Sequence, residues 1–242
     1  MPARSVIITA ASNLGVEYNY GCITEALIWI RALYFIAETD PAATAIKTAV
    51  FYGTLIGMLS FGVIGDVIGR NEGMVLTLSI QALAALLSSL AVAWQGSAQS
   101  LWWSIAVCRG LIGIGSGGVY PLAAAKANED AHSDDPKDKA VATAWAFFWR
   151  NPGIILYELV GLLLLLGPGA GVPEPPLTEA APYSMAWDFA WRLPLFIGCL
   201  PPAAMAWASY MEMRDARAQK QPPPPNAPPN APHLPEPSSA RR

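Results

Sequence analysis

Gly73 to Cys108, GMVLTLSIQALAALLSSLAVAWQGSAQSLWWSIAVC, is a run of 36 residues without one charged side chain. A hydrocarbon core about 30 Å thick is crossed by about 20 residues of helix. The run is therefore long enough for two crossings, and the polar interruption Gln95-Gly96-Ser97-Ala98-Gln99-Ser100 supplies the turn between them. On either side of it, apolar length predicts further segments, giving about 12–37, 46–65, 73–94, 101–125, 141–167 and 189–211. The expected fold is an all-α membrane protein, a bundle of six transmembrane helices over 12–212. Residues 1–11 form a short N-terminal lead-in and 213–242 a tail.

Composition points the same way. The chain has 242 residues, 53% hydrophobic and 14% charged, against roughly 25% charged for a soluble domain. A net charge of −3 is too small for a nucleic-acid partner or a polybasic membrane clamp. Cys22, Cys108 and Cys199 stand singly in apolar segments, without the CxxC spacing of a zinc or redox site, and read as small packing residues. His132 and His233 have no partner ligands nearby, so neither a metal nor another cofactor is expected. The apolar stretch Val6–Ala11 is too short for a signal-peptide core. No Ser/His, Cys/His or metal-spaced cluster suggests an enzyme.

Lysine and arginine set the orientation, since cytoplasmic loops carry the excess. If the segments alternate, ten of the fifteen fall on one side, only Lys47 on the other, and Arg31, Arg109, Arg150 and Arg192 lie within segments. Both termini are then expected in the cytoplasm, with the plasma membrane as the expected location. From Gln221 the sequence becomes QPPPPNAPPNAP, a composition that favours a solvated, polyproline-like tail.

Four groups of residues carry candidate chemistry. Gly53, Gly57 and Gly65 recur at helical spacing, so a neighbouring helix can approach closely, and Asp66 and Arg70 stand at i and i+4 across a helix end, able to pair with each other or with another helix terminus. In the fourth segment, Arg109, Gly113, Ser116 and Tyr120 fall within about 60° of arc on one face. A cation and a phenol there make a wall suited to an anion path. Gly113, Gly115 and Gly118 match GxGxxG, but that dinucleotide motif requires a preceding strand in a βαβ unit, so a nucleotide site is not expected. Arg150 lies roughly 15 Å into the fifth segment, where a guanidinium must find a partner. Its planar fork suits phosphate or carboxylate oxygens, so a substrate anion and an internal partner, Glu158 or Glu25, both remain open. The first segment is the least apolar, holding Glu17, Asn19, Glu25 and Arg31, and should sit inside the bundle, because ionisable groups at membrane depth face an interior or a cavity. Glu17 either takes up and releases a proton, as burial favours the neutral form, or pairs with Arg31 or Arg109 as packing glue.

The stretch GTLIGMLSFGVIGDVIGR, Gly53 to Arg70, resembles the signature of the major facilitator superfamily, in the form found in its phosphate:proton symporters. The resemblance covers roughly residues 12–212 and implies half of that fold, completed by a second six-helix half or by a homodimer. It gives Asp66, Arg70 and Glu129 the role of a conformational latch, weakened by Val67 and Asn71 where basic residues are usual. It makes Tyr120, in Gly117-Gly118-Val119-Tyr120-Pro121-Leu122, a substrate-binding residue, together with Arg109, Asn19 and Arg150, the last standing where the family commonly has Gln. The family's acids become Val16, Asn19 and Val119 here, which leaves Glu17 as the nearest carboxylate for proton coupling. The implied function is proton-coupled symport of inorganic phosphate or a related anion by alternating access. A sugar or organic anion is an alternative substrate, and a transport-inactive chain that associates with a full-length transporter is the alternative function.

Overall fold

The structure, a computed structural model, describes residues 4–37, 39–129, 131, 135–172 and 179–220. His132, His233 and the proline-rich run from Gln221 lie outside the described residues. Among the described residues all regular structure is helical: α1 (Arg4–Leu33), α2 (Pro41–Ile68), α3 (Arg70–Ser89), a 3-10 turn (Trp94–Gly96), α4 (Ala98–Glu129), α5 (Pro136–Phe148), α6 (Arg150–Leu166), α7 (Met185–Ile197) and α8 (Leu200–Lys220). α5 with α6, and α7 with α8, each form one interrupted crossing.

Local chemistry explains the boundaries. Asp40 accepts a hydrogen bond from the Ala42 amide at 2.8 Å, with Pro41 opening α2. Asp135 does the same for Lys137 at 2.9 Å ahead of Pro136. Both are side-chain caps followed by a proline whose missing N–H is harmless in a first turn. Gly69 turns the chain from α2 into α3 at φ +106°, a conformation open to glycine at little cost. α1 starts at Arg4, ahead of the expected first segment. Its early polar residues do not interrupt the helix because Thr9, Ser12 and Asn13 hydrogen-bond back to the Ser5, Ile8 and Thr9 carbonyls.

Two breaks originate in proline. Pro152 has no N–H for the Phe148 carbonyl, and the Asn151 side chain donates to that oxygen instead, at 3.1 Å. The helix restarts at Arg150. Pro202 likewise deprives the Gly198 carbonyl of its i+4 donor, next to the junction of α7 and α8.

Among the described residues, five stretches are long and apolar enough to cross a membrane: Pro41–Ile68, Arg70–Ser89, Ala98–Glu129, Pro136–Leu166 and Met185–Ala218. α1 is the sixth crossing and the inner one, packed on α4, α5, α6, α7 and α8, as its polar content predicts. Outer faces are apolar and exposed, as Phe51, Leu55, Leu59 and Val63 of α2 illustrate, which suits hydrocarbon rather than water. The main core gathers Trp29, Trp102 and Trp191, and each indole N–H has a partner: Gly169 O, Tyr34 O and Asp188 Oδ1.

α2 and α4 meet backbone to backbone. A Cβ on Gly53 would stand 2.1 Å from Gly110 O, and one on Gly117 would stand 2.2 Å from Thr54 O. The glycine spacing read from the sequence is thus used for close approach, which allows Cα–H···O contacts along the pair.

Candidate anion site

The break at Pro152 places Arg150 at the middle of the Pro136–Leu166 crossing. Its side chain reaches α1: Nε donates to Glu17 Oε1 at 2.5 Å and Nη2 donates to the same oxygen. Neither expected internal partner, Glu158 or Glu25, takes this place. Glu25 instead packs into a notch at Gly161, where a Cβ would come within 2.5 Å of its Oε2. Glu17 accordingly pairs with Arg150 and with neither Arg31 nor Arg109.

The guanidinium of Arg150 also lies over the Tyr120 ring, 5.2 Å from its centroid, an attraction that strengthens when water is scarce. Phe147 stacks on the same ring, centroid to centroid at 6.1 Å. The Arg150 side chain keeps 39% of its surface exposed and Glu17 13%, so the pair is sheltered but not sealed off. Pro121 inside α4 leaves the Gly117 carbonyl without a helical donor, directly next to Tyr120.

Two residues join this cluster that the sequence did not single out. The Tyr20 hydroxyl lies 2.7 Å from Thr54 Oγ1, and it neighbours both Tyr120 and Arg150. Tyr20 is one helical turn from Glu17, and that spacing is the signal that was available. Glu17, Tyr20, Thr54, Tyr120 and Arg150 thus come together from α1, α2, α4 and α6.

The other expected substrate residues lie elsewhere. Asn19 is 1% exposed, and its amide nitrogen donates to Gly15 O at 2.9 Å and to Gly198 O at 2.7 Å. It supplies the donor that Pro202 withholds from Gly198, and so has no free N–H for a ligand. Arg109 is buried and points at the α1 backbone, Nη1 on Asn19 O at 2.5 Å and Nη2 on Tyr20 O at 3.3 Å. It stands eleven positions before Tyr120, roughly 16 Å along the helix, so the two do not form one wall. Its Nε has no partner. Arg109 holds α1 against α4, and in doing so fixes the backbone from which Tyr20 projects. Val16 and Val119, at the positions of the missing acids, are fully buried in an apolar cluster.

At the end where α2, α3, α4 and α8 converge, Arg70 pairs with Asp66 at 2.6 Å and with Glu129 at 3.2 Å. Both pairings foreseen for it occur together. The sequence did not disclose the neighbouring contacts: Lys126 Nζ meets Glu212 at 2.5 Å and Asn71 at 2.7 Å, and Arg217 meets Glu72 at 3.0 Å.

Comparison with known proteins follows the same line. The profile of the family described as sugar (and other) transporter matches residues 6–211. Over 218 residues the chain is 31% identical to inorganic phosphate transporter PT2 of Toxoplasma gondii, covering 89% of this chain and 35% of that protein. It is 30% identical over 209 residues to inorganic phosphate transporter 1-6 of Oryza sativa subsp. japonica, covering 82% and 38%. Low affinity inorganic phosphate transporter 4 of Lotus japonicus is 29% identical over 225 residues, covering 86% and 40%. The chain spans little more than a third of the length of these curated relatives.

Proposed function

Because the chain belongs to the sugar (and other) transporter family of the major facilitator superfamily, we propose that it forms one six-helix half of a proton-coupled transporter of inorganic phosphate or a closely related anion. A second six-helix half completes the site, since substrate sites of such folds lie between two halves. The names of its relatives support phosphate. The excess of Lys and Arg on one side supports cytoplasmic termini, and a plasma-membrane location goes with that reading.

The observation that carries the proposal is the Glu17–Arg150 pair beside Tyr120. Arg150 has donors only, and at membrane depth it must keep an anionic partner. In the structure that partner is Glu17. An entering oxyanion competes for the same guanidinium, and Glu17 then becomes a stranded buried charge unless it takes a proton. With anion and proton entering together, the site stays neutral: the ion pair is exchanged for a neutral acid and an Arg150–anion pair. The large cost of an uncompensated buried charge thereby couples the two ions. Asp66, Arg70 and Glu129 serve as the latch, holding the α2–α3 turn to the end of α4 in one of the alternating states.

Phosphate uptake into proteoliposomes under a pH gradient tests the reading. Arg150→Ala is expected to abolish uptake, and Glu17→Gln to retain phosphate exchange while removing its acceleration by an acidic outside. Uptake that is absent in the parent chain and its assemblies, or indifferent to both changes, removes it. A second reading, a transport-inactive chain that regulates a relative, is favoured by Val16 and Val119, whose apolar burial leaves no carboxylate at those points. Loss of uptake by a co-expressed full-length relative, with none by this chain, would select it.

A further inference from the structure

Thr54 donates its hydroxyl proton to the Val50 carbonyl at 2.7 Å. A hydroxyl has one proton to give. Thr54 therefore meets Tyr20, 2.7 Å away, as acceptor, and Tyr20 is the donor in that bond. The single proton of Tyr20 is spent on α2, so its oxygen can only accept from its other neighbours: one lone pair takes the hydrogen bond of the Tyr120 hydroxyl, and one is left on the side of the site that holds Arg150. Donation to Thr54 polarises the phenol and makes that oxygen a better acceptor. The Glu17 carboxylate, the charged acceptor of the site, is held by Arg150 through Oε1.

We propose that Tyr20 is a specificity-determining residue whose oxygen accepts the proton of a protonated oxyanion, such as the P–OH of phosphate, while Arg150 binds the charged oxygens. Sulfate has the same tetrahedral shape but carries no proton near neutral pH. It sets a lone pair against the lone pair left on Tyr20, the arrangement that a site built to receive a hydroxyl rejects most strongly. The inference rests on the phosphate reading above and adds to it the residue that distinguishes phosphate from unprotonated oxyanions. Arg109 supports it by holding the Tyr20 backbone carbonyl, which fixes where the side chain starts.

The test measures equilibrium binding of radiolabelled inorganic phosphate and sulfate to the full chain in lipid nanodiscs at pH 7. The parent chain is expected to prefer phosphate. Tyr20→Phe keeps the ring and removes the oxygen, and should weaken phosphate binding roughly tenfold while improving sulfate binding, so the selectivity ratio falls by more than that factor. Thr54→Val leaves the phenol intact and frees its proton, and should lower the ratio by improving sulfate binding. A role in packing alone would move both ligands together and preserve the ratio. A preserved ratio in both variants, with phosphate still bound by the parent chain, overturns the assignment of Tyr20 and leaves the phosphate reading standing. Absence of phosphate binding by the parent chain overturns both.

Discussion

Lys126 Nζ and Glu212 Oε2 lie 2.5 Å apart, with the lysine side chain only 5% exposed and the glutamate 25%. The contact ties the end of α4 to α8, and Asn71, the residue after Arg70, shares the ammonium at 2.7 Å. Removing one partner strands a mostly buried charge, which costs more than the pair itself contributes. Glu212→Leu should lower stability by about 3 kcal/mol, and the double change Lys126→Met, Glu212→Leu by clearly less. Thermal unfolding in detergent, followed by tryptophan fluorescence, reads both. Equal losses in the single and double variants would show that charge stranding is not the cause.

The contact of Gly113 with Val50 makes a second prediction. A Cβ on Gly113 would stand 2.2 Å from the Val50 carbonyl oxygen, whereas one on Gly62 would meet nothing within 4 Å. Gly113→Ala must push α2 away from α4 and should cost about 1–3 kcal/mol through overpacking. Gly62→Ala should be neutral or gain up to about 1 kcal/mol from helix propensity. Unfolding midpoints of the two variants in the same detergent check the contrast, and similar values for both would contradict the close approach.

Asn19 and Pro202 form a compensating pair. Asn19→Leu removes the one side-chain donor that the described residues offer the Gly198 carbonyl and should cost about 1–3 kcal/mol, the penalty for an unsatisfied buried acceptor. Pro202→Ala restores a backbone N–H four residues after Gly198. The double variant should therefore recover part of the loss, and a double-mutant cycle on unfolding free energies measures the coupling. Strict additivity of the two changes would sink the explanation.

Arg70 predicts a separation of stability from function. Its partners Asp66 and Glu129 are 64% and 58% exposed, and pairs that open to solvent contribute only about 0–1 kcal/mol. Arg70→Gln should leave the unfolding midpoint nearly unchanged while altering exchange between the alternating states. Distance distributions between spin labels on the ends of α2 and α4, recorded with and without phosphate, report that exchange. An unchanged distribution in Arg70→Gln would remove the latch role from this residue.

Helix content was legible in the sequence because the cause is local. A crossing in lipid must satisfy its own backbone hydrogen bonds, so apolar length alone locates α2, α3 and α4 to within a few residues of their ends. Glycine spacing disclosed that a helix would approach α2 closely, though not that it would be α4, and i,i+4 spacing disclosed Asp66–Arg70, since each follows from the geometry of a single helix. The first segment's polarity likewise announced an interior position, which α1 occupies.

Partner choice was not legible. Arg150 required an anion on insertion cost alone, yet Glu25, Glu158 and a bound substrate all met that requirement, and the residue that took the place, Glu17, is 133 positions away. Asn19 was expected as a ligand from the family resemblance and Arg109 from the helix face it shares with Tyr120, whereas the fold spends them on carbonyls of Gly198 and of α1. Local sequence thus determined which segments span the membrane and which of their faces are small or polar. The order of helices around the bundle, and the breaks that Pro152 and Pro202 impose, decided which polar groups meet, because a buried charge or carbonyl takes whichever partner the packing brings within hydrogen-bond reach.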